Sequence, residues 1–207
     1  MVLPRLYPII DVSCLAAQGR LLDVIVAYAR RLAEGGATLI QYRDKTGNAR
    51  DMLGRAREIR RVLAGDVTLV MNDRADLCVA AGYQGLHVGT DDLTPSSARA
   101  IVGPKRILGV STHNLEQVRQ ADKGPADYIA FGPIFPTRSK ERPDPVVGLD
   151  ILRLARAITR KPLVAIGGIT RADAQAVIDA GADSVAIISD LLESPKEAAE
   201  EFLRLLV

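Results

Sequence analysis

Tryptophan is absent from this chain, and aromatic residues of all kinds make up only 4% of it. A protein that holds nucleic acid by stacking bases on aromatic rings needs more than that. An excess of one charge is lacking too: 27 basic and 25 acidic residues leave a formal net charge of +2. Nucleic-acid binders present a broad basic field, so no nucleic-acid partner is expected. No apolar run reaches the roughly 18 residues of a membrane-spanning helix, so no membrane partner is expected either. The N-terminal segment, with Pro4 and Arg5 early in it, has no charged stretch leading into a long apolar run, which argues against a signal peptide. The two cysteines, Cys14 and Cys78, stand far apart and match no metal or redox spacing. Reduced thiols and a cytoplasmic location are the simpler expectation. The two histidines, His87 and His113, form no metal-type cluster. Neither is accompanied in sequence by a Cys or Ser nucleophile at a matching spacing, so packing or hydrogen bonding suits them better than base catalysis.

What is present is a repeat. Apolar residues make up 48% of the 207 residues, enough for one domain with one well-buried core. Strands are expected over residues 5–11, 37–42, 67–71, 85–88, 106–110, 127–131, 162–166 and 183–188. Helices are expected over 20–34, 48–63, 76–81, 95–102, 114–121, 149–158, 171–180 and 195–206, with Asn114 as an N-cap. The strands are short and nearly all apolar, as when both faces are covered. Pro8 in the first strand suggests an edge or a locally unpaired position. Strand-then-helix units of this number close most naturally into a single (β/α)8 TIM barrel. The alternative, an open doubly wound sheet, carries a Gly-rich first turn, and residues 11–14 lack one.

In a barrel the active site lies at the C-terminal ends of the strands. There the chain places Gln41, Arg43 and Lys45, which point to one side by alternation. It also places Asn72, Asp73, Asp91, Asp92, Ser111, Thr137, Ser139, Lys140, Gly167, Gly168, Ile188, Ser189 and Asp190. Arg43, Lys45 and Lys140 suit an extended polyanion. Asp73 and Asp92 repel unless a cation lies between them, and Mg²⁺ held by one or two carboxylates plus phosphate oxygens fits that pair. The backbone at Gly167-Gly168 and Ile188-Ser189 suits a second phosphate. Taken singly, a strand-end Asp is better read as a helix cap and a Gly-Gly pair as a turn. Arg50, Arg55, Arg57, Arg60 and Arg61 read as a solvated helix face. The number of polar groups after nearly every strand favours a site with two anions.

Several stretches carry a family likeness: QYRDK at 41–45, NDRADL at 72–77, GLHVGTDDL at 85–93, GVSTH at 109–113, GPIFPTRSK at 132–140, AIGGI at 165–169 and AIISDLL at 186–192. In this order and spacing the chain resembles the thiamine phosphate synthase (thiamine-phosphate pyrophosphorylase) family over nearly its whole length. The resemblance implies a transferase. It would join 4-amino-2-methyl-5-pyrimidinylmethyl diphosphate to hydroxyethylthiazole phosphate, dissociatively, with Mg²⁺ as cofactor and diphosphate leaving. It implies that Gln41, Tyr42, Arg43, Asp44, Lys45, Asn72, Ser111 and Lys140 bind the pyrimidine diphosphate, with Ser111, Lys140 and Arg43 catalytic. It assigns Thr137, Ser139, Gly168, Ile188 and Ser189 to the thiazole phosphate, and Asp73 and Asp92 to the metal. The family usually has Glu where Asp44 stands and Thr where Ser139 stands. Residues 141–147, with Pro143 and Pro145, are expected to form a lid. A thiazole tautomerase on the same barrel and a non-catalytic phosphate-binding protein are the alternatives, and a homo-oligomer is left open.

Overall fold

Apolar segments bounded by small-residue turns form eight parallel strands: β1 (Leu6–Asp11), β2 (Leu39–Arg43), β3 (Thr68–Asn72), β4 (Gly85–Val88), β5 (Ile107–Thr112), β6 (Tyr128–Phe131), β7 (Leu163–Ile166) and β8 (Ser184–Ile187). Each pairs with the next, and β1 pairs with β8, so the sheet closes into a barrel. The computed structural model describes residues 1–15, 20–63, 65, 67–137 and 144–206. Helices pack outside: α1 (Val12–Leu15), α2 (Leu21–Glu34), α3 (Ala49–Val62), α4 (Ala75–Ala81), α5 (Pro95–Val102), α6 (Leu115–Lys123), α7 (Gly148–Ile158), α8 (Ala174–Asp179) and α9 (Pro195–Leu205). A single 3-10 turn, Ser189–Leu191, follows β8. The chain is a (β/α)8 barrel.

Closure removes the edge that Pro8 suggested. Pro8 lies in register with Ile187 of β8, while pairing with β2 begins at the next residue, Ile9. Its missing N–H therefore falls where β1 has not yet met β2. The short α1 was not expected from the sequence. The Asp11 carboxylate creates it by accepting from the Ser13 backbone N–H and hydroxyl, as a helix cap does. Elsewhere the caps are ordinary: Asn48, Thr94 and Asn114 accept from the N–H three residues on.

Alternation along each strand sorts two cores. Ile10, Tyr42, Leu86 and Phe131 point outward and pack with Ile25, Leu32, Ile59 and Phe202 of the helices. Tyr7, Ile9, Leu39, Val70, Tyr128, Val164 and Ala186 fill the barrel itself. Each fully buried aliphatic side chain stabilises the fold by about 1.5–3 kcal/mol. One inner position has to be glycine. Gly109 stands in register between His87 of β4 and Tyr128 of β6. A Cβ at Gly109 would come within 1.9 Å of the Tyr128 ring. The bare backbone lets the phenol cross β5.

Candidate active site

The inward alternation that fills the barrel with apolar residues turns polar in the last inward positions of the strands. Gln41, Arg43, Asn72, His87 and Ser111 there line a cavity of about 120 Å³ with Thr137, Gly168, Ile188 and Ser189. Its floor and far wall are apolar: Ile9, Ala130, Val164, Ile166 and Ala186. Residues expected at both anion sites, Gln41, Arg43, Asn72 and Ser111 for one and Thr137, Gly168, Ile188 and Ser189 for the other, thus share one opening.

Arg43 is held from β1. Its Nη1 donates to Asp11 Oδ2 at 2.5 Å, and Asp11 is 1% exposed. The guanidinium is thereby fixed at the mouth with the rest of its fork available to an anion. Asp11 is a site residue that sequence reasoning missed; its place directly in register with Arg43 is the signal that could have found it.

Tyr42 and Asp44 lie elsewhere. The alternation that turns Gln41 and Arg43 inward turns their neighbours outward. Tyr42 is fully buried among the helices and donates its hydroxyl to Asp44 Oδ2 at 2.8 Å. Arg55 of α3 donates to the same oxygen at 2.7 Å, so it is not part of a merely solvated face. Asp44 Oδ1 accepts from the N–H groups of Thr46 and Gly47, each at 2.9 Å. Burial raises this carboxyl. The bonds from Thr46, Tyr42 and Arg55 outweigh that and hold it below the usual carboxylate range. These two residues form a buttress that shapes the turn carrying Lys45.

Lys45 meets the acidic pair. Its ammonium forms an ion pair with Asp73 and lies 3.9 Å from Asp92 Oδ1. Asp73 follows β3 with φ 61°, the one non-glycine residue in the left-handed region among those described. Such a backbone is costly and marks places where side-chain direction matters. Burial pushes the Asp73 carboxyl up to about 6, the hydrogen bond with Asp92 adds to this, and Lys45 opposes it. At Asp92 burial also raises, but the bond from Asp73 and the Gly89 N–H outweigh it, so its carboxyl is lowered. Two carboxylates close enough to share a proton form an oxygen-only donor set that suits a hard divalent cation. Among the described residues no cluster of three or more His, Cys, Asp or Glu could hold a metal, so further ligands would come from water or a bound anion.

The histidines are closer to the site than expected. His87 Nε2 lies 2.9 Å from Ser111 Oγ, so a serine that sequence spacing did not connect stands beside it. Its Nδ1 is 2.9 Å from the Tyr128 hydroxyl rather than from a carboxylate. His113 Nδ1 donates to the Gly132 carbonyl at 2.6 Å, and its Nε2 faces Asp144 at 3.4 Å. Opposite, Gly167 and Gly168 both have positive φ, 96° and 67°. A Cβ on Gly168 would lie 2.4 Å from the Pro136 carbonyl oxygen. Glycine alone lets the β7 loop pass under residues 133–136. Asp190 is engaged by Arg171, at 2.9 Å from its N–H and 3.0 Å from Nε. Ser139, Lys140 and residues 141–143 of the expected lid lie outside the described residues.

A closed parallel barrel with this polar mouth at its strand C-termini is a (β/α)8-barrel enzyme. A family model described as thiamine monophosphate synthase matches residues 6–191, and the chain belongs to that family. It is 57% identical over 204 residues to the thiamine-phosphate synthase of Koribacter versatilis, spanning 99% of this chain and 96% of that one. The Chloroflexus aurantiacus thiamine-phosphate synthase is 40% identical, over 98% and 92%. A solved structure, thiamine phosphate pyrophosphorylase from Pyrococcus furiosus, superposes with a TM-score of 0.85 at 32% identity, over 98% of this chain and 95% of that one. Among the described residues no helix is long and apolar enough to cross a membrane.

Proposed function

We propose that this transferase joins 4-amino-2-methyl-5-pyrimidinylmethyl diphosphate to hydroxyethylthiazole phosphate, giving thiamine phosphate and diphosphate. The observation that carries the reading is convergence. Gln41, Arg43, Asn72 and Ser111 meet on one cavity wall, and the Lys45–Asp73–Asp92 cluster lies beyond the end of the same strands.

The chemistry asked of these groups is leaving-group departure. The methylene C–O bond breaks, its electron pair leaves with diphosphate, and the thiazole nitrogen donates a pair to the pyrimidinylmethyl cation. Arg43 and Lys45 offset the charge that grows on the diphosphate, and the Ser111 hydroxyl hydrogen-bonds the departing oxygen. Gln41 and Asn72 orient the pyrimidine diphosphate. The apolar wall of Ile9, Ala130, Val164 and Ile166 keeps water from capturing the cation first. Asp73 and Asp92 would hold Mg²⁺, which neutralises diphosphate charge when bound. Thr137, Gly168, Ile188 and Ser189 are assigned to the thiazole phosphate, with Ser139 and Lys140 from the same loop completing the two anion sites. Two free cysteines, Cys14 and Cys78, support a reducing, cytoplasmic setting.

Incubation of the folded protein with both substrates and Mg²⁺ should yield thiamine phosphate and diphosphate in equal amounts. Well-folded protein that forms neither would overturn the reading and leave the tautomerase or a non-catalytic phosphate binder in its place.

A further inference from the structure

A buried chain of hydrogen bonds runs behind the cavity wall. Gln41 Nε2 donates to the Tyr7 hydroxyl at 3.0 Å, and Tyr7 lies 2.8 Å from the Tyr128 hydroxyl. Tyr128 lies 2.9 Å from His87 Nδ1, and His87 Nε2 lies 2.9 Å from Ser111 Oγ. Tyr128 also stacks on His87, at 25° between planes. The two tyrosines are 1% and 0% exposed, so their hydrogens cannot be given to bulk water.

Counting hydrogens gives the chain a direction. Burial pushes the Tyr7 phenol up to about 12, against its hydrogen bonds with Tyr128 and Gln41, and pushes Tyr128 well above its ordinary value. Each therefore keeps one hydrogen to place. Gln41 fills one side of the Tyr7 oxygen as donor, so Tyr7 turns its hydrogen to the Tyr128 oxygen. Tyr128 then turns its own to His87 Nδ1. With Nδ1 accepting, the imidazole hydrogen sits on Nε2 and is donated to Ser111 Oγ. The opposite direction, or an imidazolium, returns the Tyr128 hydrogen to Tyr7. The Tyr7 hydrogen would then have no acceptor among the described residues, which a buried donor tolerates poorly.

We infer that Tyr7 and Tyr128 are positioning residues that hold His87 as its Nε2–H tautomer and so turn the Ser111 hydroxyl hydrogen into the cavity. His87 in this state is a donor to Ser111, not a base acting on it. Ser111 is thereby set up to give a hydrogen bond to an anionic oxygen, and the Ser–His pair is not an activated nucleophile. The identity of that oxygen, the departing diphosphate, rests on the proposed function; the tautomer does not.

The test is ¹⁵N NMR of the histidine rings in the free protein. With two histidines in the chain, a His113→Gln variant assigns the His87 signals. The expected result is a bare, hydrogen-bond-accepting Nδ1 and a protonated Nε2 on His87. In Tyr128→Phe the Nδ1 signal should move downfield as it loses its donor. Turnover by Tyr128→Phe should show kcat lowered by about tenfold, the worth of one well-placed hydrogen bond, with KM for both substrates unchanged. A wild-type His87 protonated on Nδ1, an unmoved Nδ1 signal in the variant, or a loss confined to KM would each overturn the inference. The NMR arm needs no substrate, so it separates failure of this inference from failure of the synthase reading.

Discussion

Arg43 Nη1 donates to Asp11 Oδ2 at 2.5 Å, joining the ends of β1 and β2 just below the mouth of the barrel. The other oxygen of Asp11 already accepts two hydrogen bonds from Ser13. Both oxygens of this carboxylate are therefore engaged by donors. Asp11→Asn puts an amide N–H₂ against one of them, whichever way the amide is turned. Arg43 loses its anchor while the strand beneath it keeps its packing. The expected outcome is a rise of about tenfold in KM for the diphosphate substrate, the effect of roughly 1.4 kcal/mol, with an unchanged far-UV circular dichroism spectrum. An unaltered KM would remove Asp11 from the site.

Asp44 makes a different prediction, about stability rather than binding. Its carboxyl is held below the ordinary carboxylate range by Thr46, Tyr42 and Arg55 against the opposing effect of burial. A carboxyl lowered by folding stabilises the protein above its unfolded value and gives that stability up as pH falls through the folded value. The contribution should be complete at pH 7 and disappear only below about pH 4, the unfolded value for Asp. Asp44→Asn should lower the urea-unfolding free energy at pH 7 by about 1–3 kcal/mol, the cost of weakening a buried ionic hydrogen-bond network. The gap between variant and wild type should narrow in acid; a constant gap from pH 7 to pH 3 would contradict the assignment.

Two glycines should respond in opposite senses to the same change. Gly109→Ala drives a Cβ to within 1.9 Å of the Tyr128 ring, so the ring must shift and its bond to His87 is lost. Overpacking of this kind costs about 1–3 kcal/mol. Gly54 lies exposed within α3, and a Cβ there meets nothing within 4 Å. Gly54→Ala should stabilise by about 0.5–1 kcal/mol, because alanine loses less backbone freedom in a helix. Thermal denaturation of the two variants reads both signs.

These cases also mark how far the sequence could be read. The barrel was legible because short apolar strands and amphipathic helices alternate with a regular period, which depends only on local spacing. Gln41 and Arg43 were legible for the same reason, since alternate strand residues share a face. Tyr42 and Asp44 belong to the same motif but face the helices, so a motif read as a block assigned them to the ligand when they buttress the turn behind Lys45. The Tyr7–Tyr128–His87–Ser111 chain was not legible. Its members are separated by 121, 41 and 24 residues, and what joins them is strand register and one missing side chain at Gly109. Asp11 stayed hidden because a carboxylate at the end of a first strand reads as a loop residue until its register partner is known.

The acidic pair makes the sharpest prediction about the metal. Asp92 stands in the loop after β4, and among the described residues its hydrogen-bond partners are the Gly89 N–H and Asp73. Asp92→Ala therefore removes little that holds the barrel together. Asp73 keeps its ion pair with Lys45 and loses the neighbour whose hydrogen bond and charge raise its carboxyl. If the two carboxylates hold Mg²⁺ together, the Mg²⁺ concentration for half-maximal activity should rise by about tenfold or more, as for loss of one of two oxygen ligands. Saturating Mg²⁺ should recover part of kcat. Asp92→Asn separates this from simple charge balance. It removes the same charge as Asp92→Ala but keeps a side-chain carbonyl oxygen that can still act as a ligand, so it should raise the Mg²⁺ requirement less. Parallel Mg²⁺ titrations of activity in the two variants decide the matter: the same rightward shift in both would mean that Asp92 acts through charge alone and is not a ligand.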